Sequence, residues 1–481
     1  MNGSTADIAG AYTNREVPFT FRGADFTFAL SLGLFSSAGI DAGTRLLLKI
    51  LSQELDALPA GGLPRRVLDA GCGAGIIGVC AARALAEMGG GGNPDGPAPA
   101  LHVRAQDRDA LAALFTAFNA RRNGIAPETL SAHTEPLLAV PPGSRWDLIL
   151  SNIPAKAGRP VLEDFVPRSL GLLAPGGRTL LVVVNTLAGF FRTLTAGAGG
   201  LLLREAAGSG HTVFVYGNIP ARGGTAGSEA AEVKAETGGG GPAADGAVKT
   251  GADFLKSHPF YLRQRARYRI EGTAYALDTV HGAPLFDNPG TAVQAAAKLF
   301  IRLKDHDCGA GPLLFHECAQ GHFPLWFLEY GKEQGRGATA GSGETGPAVT
   351  LSGRNILSLE AAAHNIRTAL ASAPPDGAGP PAIRIVPAVE PGAVLPEDPA
   401  FSFIAAFPEP VPRTERTAAF WEAFSRLLRP GGLLLLTLPS PEAEKFDRKK
   451  PGAYVRAGDL RRGGFRALGY RKTPAADPAD R

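Results

Sequence analysis

The sequence predicts an α/β protein built from two doubly wound, mostly parallel sheets in tandem, the second a degenerate copy of the first. Three observations predict it: strands and helices alternate through the first half, a glycine-rich turn joins a strand to a helix there, and the second half repeats landmarks of the first. The apolar runs Arg66 to Asp69, His102 to Asp107, Leu148 to Ser151, Thr179 to Val184 and His211 to Tyr216 read as strands. Between them, Ile77 to Glu87, Ala110 to Arg122 and Val161 to Leu172 carry helical spacing. Such alternation implies a parallel sheet covered on both faces, with ligands bound beyond the carboxyl ends of its strands.

The repeat rests on constant offsets. Asp107-Arg-Asp-Ala-Leu, followed by Asn119, is echoed by Gly353-Arg-Asn-Ile-Leu and Asn365, both 246 residues on, and Cys72 and Gly75 map at the same offset onto Cys318 and Gly321. Gly43-Thr44 with Gly290-Thr291, Pro154 with Pro408, and Leu173-Ala-Pro-Gly-Gly177 with Leu428-Arg-Pro-Gly-Gly432 keep the order at shifted spacing, as a duplicated domain would. The stretch Ala221 to Gly251 has no aromatic residue and contains four consecutive glycines, so it reads as a flexible linker. The expected organisation is a first domain over 1–220, a linker over 221–252 and a second domain over 253–475. Glycine-rich tracts from Gly89 to Ala100, Gly335 to Pro347 and Ala371 to Pro381 read as loop expansions.

With 481 residues, 44% apolar and 20% charged, the chain has globular composition and is long enough for two cores. Its net charge of +4 is too small to argue for a polyanionic partner, so such an argument depends on where the charge sits. Four cysteines without paired close spacing exclude a common zinc site and make a disulfide framework unexpected. The first residues lack a basic then apolar leader, and no apolar run reaches the ~20 residues of a membrane span. A cytoplasmic protein with no membrane association is expected.

The turn Val67-Leu-Asp-Ala-Gly-Cys-Gly-Ala-Gly-Ile-Ile-Gly78 follows a strand and opens a helix, so its glycines allow close backbone approach to a ligand and expose helix amides to an anion. Gly73, Gly75 and Gly78 also satisfy Gly-x-Gly-x-x-Gly, so spacing alone leaves a dinucleotide enzyme open. Asp107, ending the next strand, suits ribose hydroxyls in either case.

Sequence context beyond the glycines is more specific. Val67 to Gly75, with Asp69 just before the first glycine, resembles motif I of class I S-adenosylmethionine-dependent methyltransferases, which are Rossmann-like. Trp146-Asp-Leu-Ile-Leu-Ser-Asn-Ile-Pro154 resembles the Asn-Pro-Pro-aromatic motif of enzymes that methylate exocyclic or amide nitrogens. With Gly33-Leu-Phe-Ser-Ser-Ala-Gly-Ile-Asp-Ala-Gly-Thr-Arg-Leu-Leu-Leu48, the Pro175-Gly-Gly turn and His211-Thr-Val-Phe-Val-Tyr216, nearly all of the first half looks like the methyltransferase small domain. That domain occurs in ribosomal RNA guanine-N2 methyltransferases, which pair one active with one degenerate copy; there the degenerate copy comes first, whereas here it is second.

The resemblance implies S-adenosyl-L-methionine as cofactor, held by Asp69, Gly71, Cys72, Gly73, Gly75, Asp107, Arg108 and Asn152. It implies catalysis by Asn152, Ile153 and Pro154, with no metal, on RNA, either ribosomal RNA or a ribosomal particle; the internal duplication, a pseudo-dimer within one chain, makes a monomer the expected state. The motif class also serves N-methylation of protein glutamine or a small molecule, and a catalytically inactive RNA-binding homologue is the non-enzymatic alternative. Ile153 replaces the motif's first proline and Ala155 its aromatic; Phe35 or Phe165 are the candidates to stand in. For Asn152 the bland alternative is a cap on a turn or helix. Cys72, Cys80 and His211 read as structural.

In the second half the counterpart of Asp107 is Gly353, motif I becomes Phe315-His-Glu-Cys-Ala-Gln-Gly321, and Ala406 is matched to Asn152, so no cofactor is expected to bind there. His316, Glu317, Cys318 and His322 cluster, but in no common metal-ligand spacing. From Lys445 to Lys472 ten Lys and Arg stand against two Asp, interleaved with Phe446, Tyr454, Phe465 and Tyr470. The stretch from His258 to Arg269 adds four arginines. Both suit RNA contact, or an ordinary solvated basic face.

Overall fold

The computed structural model describes residues 5–35, 37–59, 62–89, 100–218, 253–304, 311–334, 348–371, 382–394 and 401–474. The chain divides into two compact units, Thr5–Ala244 and Asp245–Arg481. The expected linker over 221–252, almost all of the three glycine-rich tracts, and Cys308 lie outside the described residues. Among the described residues no helix is long and apolar enough to cross a membrane.

The first unit begins with helix α1 (Thr5–Tyr12) and the hairpin β1 (Arg15–Phe21) and β2 (Ala24–Leu30), then α2 (Ala42–Asp56). The alternating part follows as β3 (Arg66–Ala70), α3 (Ile76–Gly89), β4 (His102–Asp107), α4 (Ala110–Arg122), β5 (Leu130–Thr134), β6 (Trp146–Asn152), α5 (Arg159–Leu172), β7 (Leu173–Val184), α6 (Ala188–Gly197), β8 (Leu201–Ala207) and β9 (His211–Gly217). The seven strands lie in the order β5-β4-β3-β6-β7-β9-β8. The first five are parallel, while β9 runs antiparallel to both β7 and β8. Central strands such as β6 and β7 are buried on both faces, which is why they read as continuous apolar runs. Strand order reverses between β3 and β6, so their carboxyl ends open the crevice where such sheets bind ligands.

The second unit repeats this plan. After α7 (Phe254–Ser257) come the hairpin β10 (Leu262–Ile270) and β11 (Thr273–Val280), α8 (Gly290–Leu303), β12 (Leu313–His316), α9 (His322–Glu333), β13 (Val349–Gly353), α10 (Ile356–Ala371) and β14 (Ile383–Pro387). Then follow β15 (Phe401–Ala406), α11 (Thr417–Leu427), β16 (Leu428–Pro439), α12 (Ser440–Arg448), β17 (Tyr454–Arg462) and β18 (Phe465–Lys472). The sheet order, β14-β13-β12-β15-β16-β18-β17, matches that of the first unit strand for strand. One face of this sheet packs Phe300, Phe315, Phe323, Trp326, Phe327 and Phe403. The other packs Phe420, Trp421, Phe424, Leu434, Leu436 and Tyr470.

The repeat extends to individual hydrogen bonds. The buried Asn119 amide accepts from the Ala29 amide and donates to the Ala29 and Ala74 carbonyls, tying the hairpin to the glycine turn. Asn365 makes the same three bonds to the Asp278 amide and the Asp278 and Gln320 carbonyls. A buried amide side chain is costly unless satisfied, so each Asn fixes one arrangement of hairpin and turn.

Candidate active site

β3 runs buried to Ala70 and the chain then turns through Gly71 to Gly75 into α3. Gly71, Gly73 and Gly75 all have positive φ, at 82°, 55° and 84°. A Cβ on Gly73 would meet nothing within 4 Å, and one on Gly71 would meet only Leu137 Cδ2 at 3.5 Å. One on Gly75 would stand 2.9 Å from the Cα of Thr116 on α4. The first two glycines therefore border open space, whereas the third is required by helix packing.

Two carboxylates flank the turn. Asp107, at the end of β4, accepts the Gly73 amide on Oδ2 at 3.1 Å and the Asp109 amide on Oδ1 at 3.0 Å. A carboxylate has about four lone-pair sites, so each oxygen retains acceptor capacity. Burial pushes its carboxyl above the usual range, opposed by those two amides. Arg108 lies beside it, and its charge favours the ionised form. Asp69 is fully buried in β3; its Oδ2 accepts the Gly78 amide in the first turn of α3 at 2.8 Å, while Oδ1 has no partner. Burial raises its carboxyl to about 7, against the lowering effect of the Gly78 amide.

Asp69 gives the fold a pH dependence. Its folded pKa exceeds the unfolded value, so its contribution to stability is fully present below about pH 4 and lost as the pH rises through about 7. Asp69→Asn is expected to reduce the loss of ligand-free stability between pH 5 and pH 8, by an amount on the order of a few kcal/mol at most. Chemical denaturation of both proteins at the two pH values measures it.

Cys72 is buried, its thiol raised by burial and its sulfur accepting from the Thr116 hydroxyl at 3.2 Å. Cys80 is buried in α3 and its thiol is likewise raised. These are packed thiols, not nucleophiles. The His211 ring packs over the start of α2, where a Cβ on Gly43 would stand 2.9 Å from its Cδ2.

At the end of β6, the Asn152 amide nitrogen donates to Asp41 Oδ1 at 3.1 Å and to Thr44 Oγ1 at 3.2 Å. Asp41 caps α2, accepting the Thr44 amide at 2.9 Å and the Thr44 hydroxyl at 2.8 Å. A carboxylate only accepts, so the amide nitrogen must face Asp41. Among the described residues no group donates to Asn152 Oδ1. The Ile153 side chain is buried, leaving its carbonyl as what it can offer, while the Pro154 carbonyl accepts the Ala157 amide in a turn. Asn152 caps no helix; it is itself held by a helix cap. Phe165 is buried and cannot stack on a ligand, whereas Phe35, in the loop between β2 and α2, is 81% exposed.

Sequence reading gave no role to Asp41 and Thr44. The signal was present as Asp41-x-x-Thr44 ahead of an apolar helix, a helix-start pattern, but its link to Asn152 spans 111 residues.

The second unit shows what the site is not needed for. Its turn keeps the positive φ values, at 55°, 49° and 94°, although Glu317 and Ala319 stand where Gly71 and Gly73 do. Only Gly321 remains glycine, and there a Cβ would stand 3.0 Å from the Cα of Ala362 on α10. So the glycine kept is the packing one, and those lost are the two facing open space. A non-glycine residue in this conformation costs roughly 1–2 kcal/mol, borne here twice. Glu317 Oε1 accepts the Arg354 amide, and its carboxylate fills the volume that a side chain on Gly353, the counterpart of Asp107, would occupy; a Cβ there would lie 2.9 Å from Oε2. Phe315 stands for Asp69 and Pro324 for Gly78, so acceptor and amide donor are lost together.

Strand register corrects one sequence match. Leu148 corresponds to Phe403 and Arg178 to Leu433, an offset of 255, which aligns Asn152 with Phe407 and Ser151 with Ala406. Phe407 is buried against Phe323. The expected pairing of Asn152 with Ala406 is one residue short because it keeps the 254-residue offset of Pro154 and Pro408, whereas the strands are offset by 255. His316 is buried and pushed down to about 3, bonding Ser352, and His322 bridges the Tyr275 hydroxyl and the Leu285 carbonyl. Together with Glu317, these residues hold the turn internally.

The basic segment Lys445 to Lys472 is largely consumed within the unit. Lys445, Lys449, Arg456, Arg462 and Arg466 pair with carboxylates, and Lys450, Arg471 and Lys472 donate to backbone carbonyls. Phe446, Tyr454 and Tyr470 are buried in the core rather than displayed. Three of the four interleaved aromatics thus pack inward, Phe446 from α12 and Tyr454 and Tyr470 from β17 and β18, and are not presented for base stacking.

Strand order and a glycine-lined crevice between β3 and β6 define a class I methyltransferase fold, present twice. Within it, residues 25–201 match the methyltransferase small domain. The chain is 34% identical over 157 residues to a ribosomal protein L11 methyltransferase of Syntrophotalea carbinolica, covering 33% of this chain and 43% of that one. It is 34% identical over 166 residues to a ribosomal RNA small subunit methyltransferase C of Chromohalobacter salexigens, covering 34% and 43%. The chain thus spans less than half the length of these curated relatives. In fold it is similar to the T. thermophilus 16S rRNA N2 G1207 methyltransferase solved with AdoMet and guanosine, at TM-score 0.55 and 16% identity over 96% of this chain and 99% of that one.

Proposed function

We propose that the first unit, over 1–220, binds S-adenosylmethionine at the Gly71 turn and methylates the exocyclic N2 of a guanine in ribosomal RNA, while the second, over 253–475, binds substrate. The chain acts as a cytoplasmic monomer. The observation that carries this is Asn152, whose amide is locked through its nitrogen and whose oxygen has no donor among the described residues, one strand away from the glycine turn.

The residues present fit the cofactor. Gly71 and Gly73 leave room for close backbone approach, Asp107 retains acceptor capacity for ribose hydroxyls, and Asp69 keeps an unpartnered buried oxygen. When bound, S-adenosylmethionine supplies an electrophilic methyl group on a sulfonium. The nucleophile is the harder side, because the lone pair of an exocyclic purine amine is delocalised into the ring. Asn152 Oδ1 and the Ile153 carbonyl accept its two N–H bonds and favour a pyramidal, reactive nitrogen, a preorganised hydrogen-bond effect. No acid-base dyad is required of the chain.

Phe35 takes the part of the aromatic missing at Ala155. Its loop is tethered at one end to the glycine turn, through Asn119 and Ala29, and at the other to Asn152, through Asp41. Stacking is worth ~1–3 kcal/mol per base. Phe35→Ala is therefore expected to raise KM for RNA roughly 10- to 100-fold, with cofactor affinity unchanged and Phe35→Tyr close to wild type. Steady-state kinetics check this.

The likeness to a ribosomal protein L11 methyltransferase favours a second reading, N-methylation of protein. Transfer of labelled methyl to ribosomal particles, naked RNA and ribosomal protein separates the two. Label in the RNA, abolished by Asn152→Ala, is expected; label confined to protein would contradict the RNA assignment.

A further inference from the structure

We propose that the outer face of β10 in the second unit is a docking surface for the RNA phosphodiester backbone, an inference that rests on RNA being the substrate. Arg263, Arg265, Arg267 and Arg269 all fall at exposed positions of this strand. Side chains two apart share a strand face and stand about 6.8 Å apart, so the last three form one ladder. The cross-strand partners of Arg269 and Arg267 are Ala274 and Ala276, whereas Arg265 faces the Asp278 carboxylate and Arg263 pairs with Asp287. Among the described residues Arg267 has no hydrogen-bond partner, and Arg269 donates only to the Gly272 carbonyl. Arg263, beside a bulge in the same strand, lies 3.9 Å over the half-exposed Phe286 ring, adding a flat apolar surface at the ladder's end.

The first unit supplies an internal control. Counting back from the buried ends of the two strands, Phe21 and Ile270, the positions of Arg269, Arg267 and Arg265 are held in β1 by Thr20, Pro18 and Glu16. The hairpin fold therefore does not require arginine there. In both units the hairpin is tied to the turn by the buried Asn, so the ladder is held rigidly on its own unit. Guanidinium groups in a row with small neighbours leave their donors to phosphate oxygens, which match their fork geometry.

The test is fluorescence anisotropy of the full chain with a labelled single-stranded oligoribonucleotide across a series of KCl concentrations. Each phosphate contact contributes about 0.7 to the slope of log affinity against log salt for single strands. The variant R265Q/R267Q/R269Q is expected to bind more weakly and to lower that slope by about 2. The control R448Q/R461Q, which removes charge from the same unit, is expected to change it less. Thermal denaturation of each variant, with both units melting as in the wild type, confirms folding. Wild-type binding with an unchanged slope in the ladder variant, or an equal loss in the control, would overturn the ladder. Absence of RNA binding by the wild type would instead overturn the RNA reading on which it rests.

Discussion

Asn152→Ala is expected to lower kcat by about 100- to 1,000-fold, the range found when one preorganised hydrogen-bond partner of a transition state is removed. Cofactor affinity should change little, because the glycine turn and Asp107 are untouched. The discriminating companion is Asp41→Ala, which leaves Asn152 in place but removes the acceptor of its amide nitrogen. If Asn152 works through a fixed oxygen, Asp41→Ala lowers kcat by a smaller factor, with KM for the cofactor preserved. If Asn152 is only a structural link to α2, both variants lower the melting temperature and leave the kcat of the folded fraction near wild type. Single-turnover methyl transfer alongside thermal denaturation distinguishes the outcomes.

Asp107→Ala is expected to weaken S-adenosylmethionine binding by roughly 100-fold or more, since two hydrogen bonds to a charged acceptor at about 1.5–3 kcal/mol each are lost. The same substitution frees the Gly73 and Asp109 amides, loosening the turn itself. The second unit, with glycine at the corresponding position, keeps the turn conformation with the Glu317 carboxylate in that volume, so thermal denaturation of the variant accompanies the titration. Calorimetric titration of the variant measures the change.

Much of the first unit is legible in the sequence because its central strands are buried on both faces and its helices have clear starts. α4 begins and ends at the residues its periodicity gives. The edge strands β5 and β8 are not legible: Leu-Ser-Ala-His-Thr has no apolar run, and β8 is half in solvent, so neither carries a pattern. The site shows the same division. Gly71, Asp69, Asp107 and Asn152 sit in local motifs and can be found one at a time. What holds Asn152 is a contact with a helix cap far along the chain, and no local pattern encodes such a partner. In the basic segment near the C-terminus the charge is visible in the sequence, whereas its internal pairing is not. The arginine ladder of β10, by contrast, needed only the strand register to become a surface.

The glycine turn thus occurs as two copies of one backbone, of which one keeps the two glycines bordering open space and the two flanking carboxylates. Calorimetric titration of S-adenosylmethionine into the full chain tests this most directly. One molecule is expected to bind per chain, and to be lost in Asp107→Ala; two bound molecules, or binding that survives that substitution undiminished, would contradict a single site at the Gly71 turn.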